Sequence, residues 1–392
     1  MVAQFHFWGA EPLFMINPAK SAFYQRLEAA IAELGGIYNA HLHLDRIGTL
    51  DEKYLATVDH RILETSHISL QKKHSMISDL HQGLAFHADD MRERVNAYLD
   101  YMASINTVKA DTMVDVTADG VGLSALETLT GIKQEKANLI EMKVGAYSPL
   151  GFRDDQPERW ELMVEGARKA DFIGCLPEAD DIVDYPAHIG FTEHCRRMLE
   201  LAQEIGKMAH VHVDQRNEPS EHGTEQLIEA VRRYGAPISP SGEPMIWAVH
   251  LISPSTYDDD RFYRLVDGLI ESNIGVITCP SGAIGMRQFR PVSTPTYNCI
   301  PRLLEMLAAG VHVRVGSDNV ADICSPSTTA NLFDEIFILS AALRFYNPEI
   351  LAKLAAGVKI SVGDREYIRE HLRMNDLEIE KFMGREGVGA RL

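Results

Sequence analysis

Two histidines one residue apart close an apolar run in Tyr38-Asn39-Ala40-His41-Leu42-His43-Leu44-Asp45. Side chains on a β-strand alternate faces, so His41 and His43 would point the same way if this run is a strand. Two imidazoles on one face are half of a transition-metal site, and a metal-activated water would make the chain a hydrolase. The pair alone carries little weight, because a chain with 16 histidines produces a His-x-His by chance.

Three further segments add to it. They are His210-Val211-His212-Val213-Asp214-Gln215, Trp247-Ala248-Val249-His250-Leu251 and Gly316-Ser317-Asp318-Asn319, each at the end of a short apolar run. Lys143, Tyr147 and Glu178 fall at or just after two more such runs. Each residue has an ordinary structural role open to it. A histidine at a strand end is often just hydrogen-bonded, and Asp318 before Asn319 can cap a turn. Histidines and one aspartate drawn from four separate runs, however, suit Zn²⁺ or Fe²⁺ with one position open for water.

Those residues meet only if the elements carrying them converge. Eight apolar, β-branched runs are predicted as strands: Ile37–Leu44, Thr112–Val116, Leu139–Tyr147, Phe172–Leu176, Met208–Asp214, Met245–Ile252, Gly275–Cys279 and Val311–Gly316. Amphipathic segments between them read as helices, including Ser21–Leu34, Arg92–Ile105 and Leu303–Ala309, the last ending at Gly310. This alternation predicts an α/β chain folded as a (β/α)8 TIM barrel, with a doubly wound open sheet as the alternative. The stretch from Asp45 to Asp111 is too long for a simple connection and is expected to add two or three helices after the first strand. The tail after Gly357 reads as helix and polar turn, with Asn375–Met383 the last helix. The expected organisation is one domain over 1–392, with a barrel core over about 36–360 and a helical tail over 361–392.

Composition narrows the function classes. The 392 residues carry a formal net charge of -18, which argues against nucleic acid or an anionic membrane as the main partner. No apolar run is long enough to span a bilayer, and the N-terminal residues lack the pattern of a signal peptide. Five cysteines without a Cys-x-x-Cys pair suit free thiols in a cytoplasmic protein. Walker A, Rossmann, His-Glu-x-x-His and Pro-Cys-x-x-Cys motifs are absent.

The segments His41–Asp45, Met113–Val116, Ala170–Pro177, Val211–Gln215, His250 and Ala308–Asn319 resemble the metal-dependent amidohydrolase superfamily. Within it they are most similar to the cytosine deaminase branch, which includes enzymes acting on s-triazines, over about residues 36–335. The resemblance implies a metal held by His41, His43, His212 and Asp318. It implies that Asp318 takes a proton from the attacking water and that His250 hydrogen-bonds the water or the oxygen forming on the substrate. It also implies a small heterocyclic substrate, one divalent metal (Zn or Fe, with Mn open) and a homo-oligomer.

The chain departs from that pattern in three places. Gln215 stands where these enzymes carry a proton-shuttling acid, so Asp214, Glu178 or Asp115 would have to supply one. The small β-sandwich usual in this branch is not expected. The substrate-contacting positions after strands three and seven differ, which disfavours cytosine itself. Substrate contacts are expected from Tyr147, Glu178, Asn319, and Arg287 and Arg290 of the loop after strand seven; with Arg46 and Arg216, these arginines suit a carboxylate or an electron-rich edge. Lys143 would bridge a second metal only if it is carboxylated and faces the site. The expected activity is cleavage of a C–N bond with release of ammonia or an amine. Opening of a lactam or hydrolysis of an exocyclic amide remains the alternative, and a non-catalytic metal- or ligand-binding barrel the second.

Overall fold

The computed structural model describes residues 21–58, 62–64, 70–286 and 299–383. Eight strands form one sheet in sequence order, β1 (Ile37–Leu42), β2 (Thr107–Asp115), β3 (Glu141–Tyr147), β4 (Phe172–Cys175), β5 (Ala209–Val213), β6 (Ile246–His250), β7 (Ile274–Thr278) and β8 (Val313–Val315). Every neighbouring pair is parallel, and helices fill the crossovers. Strands covered on both faces must be apolar throughout, and β5, β6 and β7 are buried at every position.

The sheet closes where β8 meets β1. Leu42 bridges Asp318, the Asp318 N–H donates to His41 O over 2.8 Å, and Ser317 N–H donates to Asn39 Oδ1 over 3.0 Å. Gly316 makes this approach possible. A Cβ there would lie 2.9 Å from both the backbone N and O of His41. The closure thus seats His43 and Asp318 side by side at the C-terminal rim.

All eight expected strands are present, with shifted ends. β2 starts at Thr107 rather than Thr112, and takes in Lys109 and Asp111, which interrupt the apolar pattern on which the later start was expected. Asp111 is nonetheless buried, where it accepts the Tyr38 hydroxyl at 2.6 Å. After β1 come the short helices Glu52–Leu55, Leu70–Ser75 and Ile77–His81 and a 3-10 turn, Leu84–Phe86. Only then does the helix Ala88–Ser104 return the chain to β2. The tail differs from expectation. Val362–Met383 is one continuous helix of 22 residues, since no glycine or proline interrupts it after Gly363. Among the described residues every strand belongs to the barrel, and all five cysteines are buried.

Candidate metal centre and active-site cavity

His41 and His43 of the β1 end, His212 of β5 and Asp318 after β8 place one ligand atom each within 4.8 Å of all the others. His41 Nε2 is 3.2 Å from His212 Nε2, and Asp318 Oδ1 is 3.3 Å from His43 Nε2 and 3.6 Å from His41 Nε2. Three imidazole nitrogens and a carboxylate fit a four-coordinate transition metal. The outer hydrogen bonds bear on the same fit. His212 Nδ1 donates to Cys175 O at 3.0 Å, which leaves its Nε2 lone pair directed into the cluster. Arg46 Nη2 donates to His43 Nδ1 at 2.7 Å, so His43 carries its proton on Nε2, towards Asp318. Coordination at that nitrogen needs its lone pair, so a bound cation would require the proton to move to Nδ1 and Arg46 to release it.

Burial sets the charge states. Burial and then the Arg46 charge lower the His43 pKa to about 4, and burial lowers His250 to about 4 as well. Burial and then the neighbouring His41 hold His212 well below the ordinary histidine value. Burial opposes ionisation of Asp318, but hydrogen bonds to His41 and His43 prevail and hold its carboxyl well below the usual range. Neutral imidazoles beside an ionised carboxylate are the states that ligate metal.

His250, at the end of β6, turns towards this cluster. Its Nε2 is 4.0 Å from Asp318 Oδ2 and, buried, has no hydrogen-bond partner among the described residues. Both residues adopt left-handed backbone, φ 84° at His250 and 62° at Asp318. Such strain at a histidine persists only when the surroundings impose it, and it concentrates at functional sites. Asn319 Nδ2 donates to Asp318 Oδ1 at 3.1 Å, and Tyr147 packs its ring 5.3 Å from His43 and 5.4 Å from His212.

The cluster floors a cavity of about 300 Å³. His43, Tyr147, His212, Gln215, His250, Asp318 and Asn319, all singled out from the sequence, line it. Glu178 lines an adjoining recess that shares His74, Leu176, Gln215 and Met286 with the main cavity. There its Oε2 accepts from Gln215 Nε2 at 2.8 Å, while its Oε1 is buried without a partner among the described residues. Burial, then the Glu221 and Asp214 charges, raise its pKa well above the ordinary value, which favours its protonated form.

The other two candidate acids are committed elsewhere. Asp214 accepts the Gly223 and Thr224 N–H groups at 2.7 and 2.9 Å and so caps the helix Gly223–Tyr234. Asp115 accepts His81 Nε2 at 3.0 Å and faces Arg46 Nε at 3.8 Å. Arg216 lines the recess beside Glu178, where it is ion-paired with Asp184. Lys143 lies at the opposite, N-terminal mouth of the barrel with Asp111 and Arg314, so the bridging-lysine reading is corrected. Arg287 and Arg290 lie outside the described residues.

Sequence reasoning missed several contributors. Lys73 and His74, from the insertion after β1, and Ser281 and Thr328, from the loops after β7 and β8, all line the cavity. Ser281 is held by the buried Glu335, whose Oε1 accepts the serine hydroxyl at 2.6 Å. Behind the metal cluster, His81 bridges Asp115 and Asp119 at 3.0 and 2.7 Å. No spacing signal marked these residues, because they come from irregular connections.

The described chain superposes on solved structures of similar build. One is 5-methylcytosine deaminase from Klebsiella pneumoniae liganded with 5-fluorocytosine, with TM-score 0.68 and 22% identity, covering 82% of this chain and 72% of that one. The chain shares the barrel fold of that structure. A second is N-isopropylammelide isopropylaminohydrolase from Burkholderia multivorans, at TM-score 0.61 and 18% identity, covering 82% and 73%. An uncharacterised protein of Haemophilus influenzae is 26% identical over 288 residues, 72% of this chain and 96% of that one. No protein-family model matches the chain. Among the described residues no helix is long and apolar enough to cross a membrane.

Proposed function

We propose that this chain is a mononuclear metal-dependent hydrolase of the amidohydrolase superfamily, in its cytosine deaminase-like branch, cleaving a C–N bond of a small heterocycle with release of ammonia or an amine. The observation that carries the reading is the convergence of His41, His43, His212 and Asp318 at a cavity floor, with His250 facing Asp318. Relatives of the same fold point the same way, since two of them are named for removing an amine from a nitrogen heterocycle.

In this reading the four residues hold one divalent ion, Zn or Fe with Mn as the further option, and the ion when bound acidifies water and polarises the carbon under attack. Asp318 Oδ2, the oxygen that faces His250, accepts the proton of the attacking water. His250 Nε2 hydrogen-bonds that water and then the oxygen forming on the substrate. Tyr147 supplies a flat wall against His43 and His212, and Asn319 fixes the Asp318 carboxylate.

The acid absent at Gln215 is replaced by the Gln215–Glu178 pair. Gln215 orients the substrate nitrogen through its amide, and neutral Glu178 supplies the proton that the departing nitrogen needs. Deamination and amide hydrolysis both need a proton on the departing nitrogen, so this pair serves either, and the two relatives named for removing an amine favour deamination. The protein is read as cytoplasmic and homo-oligomeric, with a small-molecule substrate.

The test is ammonia or amine release from a panel of aminated pyrimidines and triazines by Zn²⁺- or Fe²⁺-loaded protein, run beside a panel of lactams. Turnover of the amines is expected. Silence on every amine together with turnover of a lactam would replace deamination by amide hydrolysis, and silence on both panels would leave a binding barrel.

A further inference from the structure

The cavity reaches beyond the metal cluster, and its volume of about 300 Å³ enters the range of pockets that enclose ligands larger than one ring. Part of its wall is built by residues that the reaction does not use. Lys73, in the helix Leu70–Ser75, lines the cavity and reaches the loop after β8, where its ammonium donates to Cys324 O at 3.1 Å. An ammonium has three donors, and among the described residues no carboxylate pairs with this one.

The remaining charges of the wall are already engaged. Asp318 belongs to the metal cluster, and Arg46 is shared between His43 and Asp115. In a chain of net charge -18, the cavity therefore offers, among the described residues, one uncommitted charge, and it is positive. Ser325, Ser327 and Thr328 line the same wall. Their loop is fixed by Asp322 Oδ1, which accepts the N–H groups of Cys324 and Ser325 at 2.8 and 2.9 Å.

Holding a cation in a concave wall against one neutral carbonyl is costly, and an anionic ligand group offsets that cost. The loop chemistry selects among anions. Phosphate sites draw on backbone N–H groups, and here two of them are taken by Asp322. A carboxylate asks only for one ammonium and hydroxyl donors.

We infer that Lys73, with the hydroxyls of Ser325, Ser327 and Thr328, binds a carboxylate substituent on the heterocycle seated at the metal cluster, which makes Lys73 the residue that sets substrate class. The inference rests on the proposed hydrolase reading and specifies it. Lys73 acts in binding and takes no part in bond cleavage.

The test compares an aminopyrimidine with its carboxylate-bearing counterpart, by calorimetric binding and by turnover, on zinc-loaded wild-type protein and the Lys73→Met and Lys73→Arg variants. Wild type is expected to bind the carboxylated member at least about tenfold more tightly, the size of one charge-assisted contact. Lys73→Met should erase that preference, and Lys73→Arg should retain part of it. Equal affinities in wild type, binding of neither member, or a preference that survives Lys73→Met overturns the inference. Turnover without preference overturns it and leaves the hydrolase reading standing. A preference without turnover of any member does the reverse.

Discussion

Gln215 donates its amide Nε2–H to Glu178 Oε2 over 2.8 Å, so the position that lost an acid is wired to a carboxyl from the neighbouring strand end. If Glu178 supplies the missing proton, Glu178→Gln should lower kcat by about a hundredfold, the lower range for a general acid. The pH profile gives the sign. Burial and the facing Glu221 and Asp214 raise the Glu178 pKa, against the pull of Arg216, and Asp184, Tyr185 and His74 border the same recess. The active form is the protonated one, so the wild-type rate falls as pH rises through that raised value, and the variant loses this limb. An unchanged profile in Glu178→Gln would remove Glu178 from the reaction.

Gly316 is the residue on which barrel closure and the metal site both depend. A Cβ at this position would meet His41 Cβ at 2.7 Å and the His41 backbone at 2.9 Å. Gly316→Ala should therefore cost about 1–3 kcal/mol, the usual range for overpacking, and weaken metal retention because His41 must shift. Urea denaturation together with metal content checks both, and wild-type values for the two would show that β1 and β8 are not packed as described.

His81 makes the fold sensitive to alkali. Burial alone would lower its pKa, but hydrogen bonds to Asp115 and Asp119 raise it to about 9. A raised histidine contributes stability that is complete below its unfolded value, near 6.5, and is lost as pH rises through about 9. Denaturation curves should show stability falling between about pH 6.5 and about pH 9, and a His81→Leu variant should lose that slope. The variant should also be destabilised by about 1–3 kcal/mol, because buried Asp115 and half-buried Asp119 lose a hydrogen-bonded cation while Arg46 still faces Asp115. Parallel pH dependence in both proteins would contradict the assignment.

How much of this was legible in the sequence follows from where each residue sits. His41, His43, His212, His250 and Asp318 end apolar strands, so periodicity located them and the barrel brought them together. Glu178 was readable as one of three acids, but only the structure shows that Asp214 caps a helix and Asp115 holds His81. Lys143 was misplaced towards the site for a simple reason: a strand position fixes a face, and its height along the barrel came only from the register with Asp111. Lys73, His74 and His81 come from short helices in an insertion with no repeating pattern, and tertiary packing alone brings the first two to the cavity and His81 to Asp115 and Asp119.

The central claim is that four named side chains hold one catalytic metal ion. Its most direct test is the metal content of purified chain, measured after equilibration with Zn²⁺ and dialysis, in wild type and in His212→Ala. The expected result is about one ion per wild-type chain, removed by a chelator, and almost none retained by the variant. Wild-type protein that retains no metal, or a variant that retains as much as wild type, would contradict it.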